Sequence, residues 1–347
     1  MFTGAISYAV IHVQNCSDTM AIIPPKLTKE ELIDKLEKSG LSGEELEKTI
    51  LAIEEINRLK KEKNAIILGH YYQREAIKYV ADFIGDSYDL SKAAKETNAD
   101  IILFCGVNFM AETAKILNPG KKVILPTLEA GCSLAESITV ADVRQLRKKH
   151  PDAAVVAYVN TTAQVKAEVD VCVTSANVVK IVSKIPQKKI IFLPDRYMGE
   201  NIKMELPEKD IYVWNGNCIV HELFKVSDFT LFRQKYRGLR VLAHYECEQP
   251  VLQHADMHGG TSDMIRYIQN TDAPAYLLAT ECGLASTIKE QFPKKAIVGP
   301  CNLCPYMKKN TIYNTLEALR TERPQIIIPE EVRLKAYRSL EKMLEMD

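Results

Sequence analysis

Three cysteines with a regular spacing are the residues of this chain best suited to chemistry. Cys132, Cys218 and Cys304 follow one another at intervals of 86 residues, in the segments EAGCSLAE, NGNCIVHE and PCNLCPYMK. If these segments are equivalent loops of three related domains, their thiolates can converge on one metal centre. Three thiolates without an obvious fourth ligand suit a cubane iron–sulfur cluster with one open iron. Zinc in a three-cysteine site with an open position is the competing interpretation, and chance spacing is the simplest alternative.

The pair Cys301 and Cys304, spaced C-x-x-C, would alone indicate half of a zinc site or a thioredoxin-like redox pair. No second C-x-x-C exists, and the pair follows a late strand, so the three-repeat spacing favours Cys304 as the ligand. A Cys301–Cys304 disulfide formed on oxidation is a hypothesis. The nine cysteines, in a chain without an export signal, do not predict a disulfide framework. Cys105, in the apolar run IILFCGV, is expected to be an inert core residue.

Short apolar runs that predict strands recur with nearly the same period as the cysteines. A first set covers 65–72, 153–160 and 239–246, a second 100–107, 189–195 and 274–281, and a third 121–126, 210–216 and 294–299. Each first strand is followed by a helical segment with a hydroxyl residue near its start, and these residues (Ser87, Thr174 and Thr261) are 87 positions apart. Strands that alternate with amphipathic helices predict a parallel α/β fold. We therefore expect three copies of one βαβαβ unit.

This period divides the chain into five parts. Residues 1–63 form a mainly helical N-terminal extension; 64–150, 151–236 and 237–325 are the first, second and third α/β repeats; and 326–347 form a C-terminal helix. The extension contains a capping-box pattern from Thr28 to Glu31, which predicts the start of a helix.

Composition narrows the class of protein. The chain has 347 residues, 46% of them hydrophobic, and its 45 basic and 45 acidic side chains cancel. Without a basic excess to neutralise phosphates, nucleic-acid binding is not expected. No apolar run approaches the roughly 20 residues that span a bilayer. The first 20 residues lack a basic n-region, so they predict a loosely attached N-terminus and not a signal peptide, and the protein is expected in the cytoplasm.

Several motifs resemble the quinolinate synthase family, in order from about residue 64 to the C-terminus. They are GHYYQ (69–73), GVNFMAETAKILNP (106–119), AGCSLA (130–135), YVNTTAQVKA (158–167), GNCIVHE (216–222), HYEC (244–247), GGTS (259–262), TECG (280–283) and CPYMK (304–308). The resemblance implies three Rossmann-like αβα repeats arranged with pseudo-threefold symmetry around a central [4Fe–4S] cluster, with Cys132, Cys218 and Cys304 as its ligands. It also implies an enzyme of NAD biosynthesis that condenses iminoaspartate with dihydroxyacetone phosphate to quinolinate, releasing phosphate and two waters. Its partners would be these small-molecule substrates, with a functional link to the enzyme that supplies iminoaspartate, and neither nucleic acid nor membrane.

The predicted catalytic residues lie at strand ends and beside the cysteine loops, where parallel sheets bind ligands. Glu246, next to His244, is the expected general acid/base. His221 follows Cys218 by three residues, and Tyr72 is the fourth predicted catalytic residue. An open iron would act as a Lewis acid in the dehydration. Packing of the tyrosines and a purely structural role for any single histidine are the alternatives.

The predicted substrate-binding residues combine hydroxyl, amide and imidazole groups. Hydroxyls and free N–H groups near helix starts can hold the anionic substrates, and plain N-capping is their alternative role. The family resemblance makes three of these hydroxyls substrate contacts and adds three strand-end residues. The set is His70, Ser87, Tyr158, Asn160, Ser175 and Thr261.

The sequence departs from the family pattern at three positions. Tyr245 replaces the proline of HPEC, Gly260 replaces the first serine of GSTS, and Thr127 replaces an aspartate. Tyr245 could change how the Glu246 loop sits, and Gly260 could cost one substrate contact. Neither removes a predicted ligand or base.

Three other functions fit part of this pattern. A hydro-lyase would use the open iron on a hydroxy acid, and a zinc-dependent aldolase or lyase would be colourless and active in air. An electron carrier or iron–sulfur sensor fits less well, because an open iron among many polar residues serves no purpose in simple electron transfer.

Overall fold

The computed structural model describes residues 22–347 and contains three separate four-stranded sheets. The strands of the first sheet are β1 (Ala65–His70), β2 (Phe83–Gly85), β3 (Ile101–Cys105) and β4 (Lys122–Ile124). Those of the second are β5 (Ala154–Tyr158), β6 (Val171–Val173), β7 (Lys189–Leu193) and β8 (Asp210–Val213). Those of the third are β9 (Arg240–His244), β10 (Met257–Gly259), β11 (Tyr276–Ala279) and β12 (Ile297–Val298).

Each sheet has the same strand order, in which the second strand of the repeat forms one edge of the sheet and pairs with the first strand. The orders are β2-β1-β3-β4, β6-β5-β7-β8 and β10-β9-β11-β12, and every pairing is parallel. Central strands such as β3 and β5 are buried along their whole length, as expected for parallel sheets covered by helices on both faces. The predicted α/β fold of three repeats is confirmed.

The helices follow the predicted alternation with strands. In the N-terminal segment and first repeat they are α1 (Lys29–Lys38), α2 (Gly43–Glu62), α3 (Glu75–Lys78), α4 (Ser87–Glu96), α5 (Asn108–Leu117), α6 (Ser133–Glu136) and α7 (Val140–Lys149). In the second repeat they are α8 (Ala163–Lys166), α9 (Val178–Lys184), α10 (Arg196–Glu205), a 3₁₀ turn at His221–Leu223 and α11 (Val226–Lys235). The rest are α12 (Gln249–Gln253), α13 (Thr261–Asn270), α14 (Gly283–Gln291), a 3₁₀ turn at Met307–Lys309, α15 (Ile312–Thr321) and α16 (Glu330–Met346).

The second strand of each repeat was not predicted from the sequence. β2, β6 and β10 have three residues each, with the sequences FIG, VCV and MHG. Segments this short contain too few positions to show a strand pattern, and their pairing with the first strand stabilises them. The predicted hydroxyl residues therefore follow the second strand of each repeat and not the first.

The helices at the two ends of the described chain join the repeats. Thr28 and Glu31 form the predicted capping box at the start of α1, with Glu31 N donating to Thr28 Oγ1 at 3.2 Å. Helix α2 packs against α15, and α16 packs against α5 of the first repeat and α8 of the second. The prediction of a loosely attached N-terminus falls on residues 1–20, which lie outside the described residues. Within 22–347 no helix is both long and apolar enough to cross a membrane.

Lys78 joins the first repeat to the third through a buried ammonium group. Its Nζ donates to the carbonyl of Gly283 at 2.9 Å and to the hydroxyls of Ser286 and Thr287 at 2.8 and 2.9 Å. Burial lowers the pKa of Lys78, with Glu75 opposing that shift. The hydrogen bonds that Lys78 donates to α14 thus compensate part of the cost of burying the charge.

Lys78→Met is expected to destabilise the protein by roughly 1–3 kcal/mol, because it leaves buried acceptors on α14 without their donor. The midpoint of urea unfolding measures this change. Lys149→Met, at an exposed lysine in the last turn of α7, is the matched control. Equal midpoints for the two variants would contradict the assigned role of Lys78.

Candidate active site at the carboxyl ends of the sheets

One cavity is lined by every residue predicted to form the site. It offers about 80 Å³ to the centres of water-sized molecules, which is room for several waters or a compact ligand. The predicted residues on its wall are His70, Tyr72, Ser87, Cys132, Tyr158, Asn160, Ser175, Cys218, His221, His244, Glu246, Thr261 and Cys304. The first strands of the three repeats end at His70, Tyr158 and His244, so the cavity lies at the carboxyl ends of the sheets.

The three cysteines have the same local backbone geometry. The backbone N–H groups two and three residues later lie near each sulfur and oppose the rise in its thiol pKa that burial causes. Each cysteine carbonyl accepts from the N–H four residues later, at 3.0 Å for Cys132 and 3.1 Å for both Cys218 and Cys304. The regular spacing of the cysteines therefore corresponds to one repeated turn that presents a sulfur to the cavity.

The hypothesis of a Cys301–Cys304 disulfide is wrong in this structure. Cys301 is bonded to Cys282, which lies at the start of α14. Cys304 remains free, as do Cys132 and Cys218. The C-x-x-C pair was a misleading signal because the nearest sulfur to Cys301 belongs to a residue 19 positions away in the sequence.

The donor set is chemically compatible with an iron–sulfur cluster. Burial raises the pKa of Cys132 to about 12 and also raises the pKa values of Cys218 and Cys304. Cluster ligands must be thiolates, and backbone N–H groups directed at sulfur stabilise that charge. Three such sulfurs line one cavity and could serve as the ligands of a cluster held by three cysteines.

Glu246 is the centre of a buried hydrogen-bond network that joins the second and third repeats. Its Oε1 accepts from the hydroxyl of Tyr158 at 2.7 Å, and its Oε2 lies 2.9 Å from Nδ1 of His221. His221 Nε2 lies 2.9 Å from the hydroxyl of Thr280, which in turn lies 2.8 Å from the hydroxyl of Tyr72. One connected network therefore holds three of the four predicted catalytic residues.

Hydrogen bonds keep Glu246 ionised. The pKa of Glu246 lies well below its ordinary value although burial alone would raise it, because His221 and the hydroxyl of Tyr158 hydrogen-bond to the carboxylate and favour its charged form. Burial raises the pKa values of Tyr72 and Tyr158 well above their ordinary range, so both keep their hydroxyl protons. The site thus combines a carboxylate acceptor with two phenol donors.

His70 and His244 have equivalent positions in the first and third repeats. Burial lowers the pKa of each to about 3, so both are neutral at pH 7. The Nδ1 of His70 accepts from the N–H of Tyr72 at 3.2 Å, and that of His244 accepts from the N–H of Glu246 at 3.3 Å. These bonds select the tautomer with the proton on Nε2, which leaves each ring one N–H donor.

The hydroxyl residues of the three repeats face the cavity, and they are not the helix caps. Asp86 caps α4 by accepting from the N–H groups of Tyr88 and Asp89, and Gly260 occupies the N-cap position of α13. The N-capping interpretation is therefore wrong for Ser87 and Thr261. Asn160 Oδ1 and Thr174 Oγ1 are buried without a hydrogen-bond partner among the described residues. Both line the cavity and have acceptor capacity left for a ligand.

The two departures from the family pattern near Glu246 have clear structural consequences. A Cβ atom at Gly260 would lie 2.9 Å from Ser175 Oγ, so the glycine lets the third repeat approach the second closely. The side chain of Tyr245 is buried and donates its hydroxyl to Glu205, with its ring against His258. Its N–H donates to the carbonyl of Gly259 at 3.1 Å, a bond that a proline could not form.

Three polar residues of this region were not predicted from the sequence. Thr280 directly follows β11, and its strand-end position was the available signal. Asp86 lines the cavity and accepts from Ser262 Oγ at 2.8 Å. Asp195 follows β7, is fully buried, and accepts from the N–H of Met198 at 2.7 Å as the N-cap of α10.

Asp195 anchors a helix that holds the Glu246 loop. Asn201 of α10 donates to the carbonyls of Tyr245 and Cys247, at 3.0 Å each. The second oxygen of Asp195 has no partner among the described residues. Burial, followed by the charge of Glu246, raises the pKa of Asp195 well above its ordinary value.

Asp195→Ala is expected to lose about 1 kcal/mol of stability through the missing cap, whereas Asp195→Asn keeps the cap. Because the native pKa is raised, the native state binds a proton that the unfolded state releases above about pH 3.9, so wild-type stability falls as pH rises from there. Asp195→Asn cannot ionise, so the melting temperature of this variant relative to that of the wild type should increase between pH 4 and pH 8. A difference independent of pH would show that Asp195 is ionised in the native state.

Comparison with known proteins identifies relatives over most of the chain. A family model described as Quinolinate synthetase A protein (NadA) matches residues 54–345. The quinolinate synthase of Aquifex aeolicus (strain VF5) is 43% identical over 328 residues, which covers 92% of this chain and 97% of that protein. The quinolinate synthases of Sulfurihydrogenibium sp. (strain YO3AOP1) and Caldicellulosiruptor bescii are 47% and 45% identical, each over 84% of this chain and 97% of the relative.

Proposed function

This chain belongs to the quinolinate synthase family, an enzyme family of NAD biosynthesis, and from that premise we propose how its own residues perform the reaction. The proposed substrates are iminoaspartate and dihydroxyacetone phosphate, and the products are quinolinate, phosphate and two waters. One observation carries the proposal: three free cysteines with the same sulfur-directed backbone N–H groups line one cavity with Glu246 and its network.

Cys132, Cys218 and Cys304 are the proposed ligands of a [4Fe–4S] cluster. Pairing of Cys301 with Cys282 leaves one free cysteine per repeat at this cavity, which supports a ligand set of three. When bound, the cluster supplies an open iron that acts as a Lewis acid for dehydration. The backbone N–H groups at each sulfur stabilise the thiolates that such ligation requires.

The anionic substrates are proposed to bind to hydroxyl and amide groups of the cavity wall. Ser87, Ser175 and Thr261 bring one hydroxyl from each repeat, each near the start of a helix, where the helix dipole favours negative charge. Neutral His70 and the amide of Asn160 add further polar contacts. Hydroxyls and amides can hold a dicarboxylate and a phosphate ester without bringing several positive charges into a buried site.

Glu246 is the proposed general base and acid. Its carboxylate accepts a proton in enolisation and returns it as the ring forms, while Tyr158 and His221 hold its two oxygens in place. Tyr72 keeps its proton and connects through Thr280 to His221, so it can donate a hydrogen bond to a developing oxyanion. The ring of neutral His244 stacks on that of His221, with the two centroids 4.4 Å apart. Its N–H group is likewise placed to donate a hydrogen bond to a developing oxyanion.

The setting proposed for this reaction is the cytoplasm. The partner most directly implied by the chemistry is the enzyme that supplies iminoaspartate, because an imine of this kind hydrolyses in water and is best used soon after it forms.

Product analysis tests the proposed reaction directly. Protein purified without oxygen is supplied with iminoaspartate, generated in place, and dihydroxyacetone phosphate, and quinolinate is identified by mass spectrometry together with released phosphate. Formation of quinolinate only when both substrates are present supports the proposal. Dehydration of a hydroxy acid without condensation would contradict the proposal and favour a hydro-lyase. Activity of a colourless zinc protein in air would contradict it and favour a zinc-dependent lyase.

A further inference from the structure

Three side chains on the cavity wall form a compact group of metal-ligand atoms that differs from the three-cysteine set. The ligand atoms of Cys218, His221 and Glu246 all lie within 4.8 Å of one another. Nδ1 of His221 is 3.2 Å from Sγ of Cys218 and 2.9 Å from Oε2 of Glu246. His221 and Glu246 are buried and Cys218 is half-buried, so water competes weakly for these atoms.

The two separations that involve His221 are close to those of a tetrahedral zinc site, and the third pair of ligand atoms lies within 4.8 Å. Zinc bonds of about 2.3 Å to sulfur and about 2.0–2.1 Å to nitrogen and oxygen place neighbouring ligand atoms roughly 3.3–3.6 Å apart. The two distances that involve His221 therefore need to grow by only a few tenths of an ångström. Three protein ligands leave the fourth position of the ion for water.

Each of the three ligands already has a supporting partner. Tyr158 donates to the other oxygen of Glu246 at 2.7 Å, and Thr280 Oγ1 lies 2.9 Å from the far nitrogen of His221. Two backbone N–H groups, those of Val220 and His221, are directed at the sulfur of Cys218. Such outer contacts orient ligands and select the tautomer in metal sites.

Charge favours this set over the three cysteines for a divalent ion. One thiolate, one carboxylate and a neutral imidazole cancel the two charges of Zn²⁺. Three thiolates would leave a net charge of minus one in a buried cavity, which is less favourable.

We infer that the cluster-free protein binds one Zn²⁺ ion through Cys218, His221 and Glu246. This ion occupies a ligand set distinct from that of the cluster, with one residue, Cys218, in common. Zinc bound in this way prevents Cys218 from binding the cluster. It also blocks the carboxylate of Glu246, the proposed general base. The competition with the cluster, unlike the zinc site itself, rests on the proposed cluster ligands.

Titration of the full-length cluster-free protein with Co²⁺ alone, followed by displacement with Zn²⁺, tests the site. Co²⁺ reports tetrahedral geometry and sulfur ligation through its visible and near-ultraviolet bands. Wild-type protein should bind one equivalent. His221→Ala and Glu246→Gln should each weaken binding by more than the roughly 10- to 100-fold that loss of an outer-shell partner costs, whereas Cys132→Ala and Cys304→Ala should bind like the wild type.

His254→Ala, at an exposed histidine outside the cavity, is the matched control, and circular dichroism verifies that each variant is folded. Loss of binding in Cys132→Ala and Cys304→Ala, with retention in His221→Ala and Glu246→Gln, would overturn the inference in favour of a three-cysteine zinc site. Absence of sulfur-ligated Co²⁺ in the wild type would also overturn it.

Cluster reconstitution tests the competition separately. With Zn²⁺ filling about nine-tenths of the sites, initial iron uptake should fall about tenfold in the wild type, because only zinc-free chains accept iron. His221→Ala should show no such slowing. Iron content of protein purified without oxygen is measured independently of these titrations, so failure of the zinc site and failure of the cluster assignment are distinguishable.

Discussion

Replacement of Cys132, Cys218 or Cys304 by alanine is expected to remove the proposed cluster and to lower quinolinate formation by more than about 1000-fold. A cluster held by three thiolates loses a third of its protein ligands in each variant, and a Lewis-acid metal contributes several kcal/mol to its transition state. The measurement is iron and sulfide per chain in protein purified without oxygen, with activity on the same samples. Wild-type protein should contain about four irons.

Cys301→Ala is the matched control for this prediction, since it removes a neighbouring sulfur that is bonded to Cys282 and does not line the cavity. It should keep its iron and most of its activity. Loss of iron in Cys301→Ala with retention in Cys304→Ala would reverse the ligand assignment in the third repeat. Stoichiometric zinc and no iron in anaerobically purified wild type would refute the cluster.

Glu246→Gln is expected to lower kcat by roughly 10²–10⁴-fold while leaving iron content unchanged. Glutamine has nearly the same shape and can still accept from Tyr158, but it cannot take up a proton. The hydrogen-bond network around His221 and Thr280 should keep its geometry, so KM should change much less than kcat. Steady-state kinetics and iron analysis on the same preparation separate the two effects.

Glu248→Gln provides the control, because Glu248 lies two residues away but pairs with Lys225 and Tyr197 outside the cavity. It should retain activity within about threefold, as expected for a partly exposed ion pair. Equal losses in the two variants would indicate a general effect on the loop, and iron loss in Glu246→Gln would indicate a structural role.

Part of this molecule was predictable from the sequence because the signals are local. The central strands of each repeat, such as β5 and β7, are continuous apolar runs, and their period of about 87 residues is visible without any structure. A parallel sheet places the ends of its first strands at one edge, so the positions of His70, Tyr158 and His244 followed from the repeat alone. The capping box at Thr28 was equally local.

Other features depend on contacts that no local pattern encodes. The three-residue strands β2, β6 and β10 form because a neighbouring strand is present, and their own sequences do not require them. Cys301 pairs with Cys282 because the loop before Cys304 returns to the start of α14. Asp195 is an ordinary helix cap in the sequence, and only the packing of α10 against the Glu246 loop gives it a further role.

The sequence by itself determined the types of the reactive groups, their period and the strand ends that carry them. Tertiary structure decided which atoms meet. His221 of the second repeat lies between Cys218 and Glu246, and its far nitrogen contacts Thr280, 59 positions away. Such distances follow from the packing of one repeat on another, which sums many weak contacts over the whole interface, and no short motif contains that information.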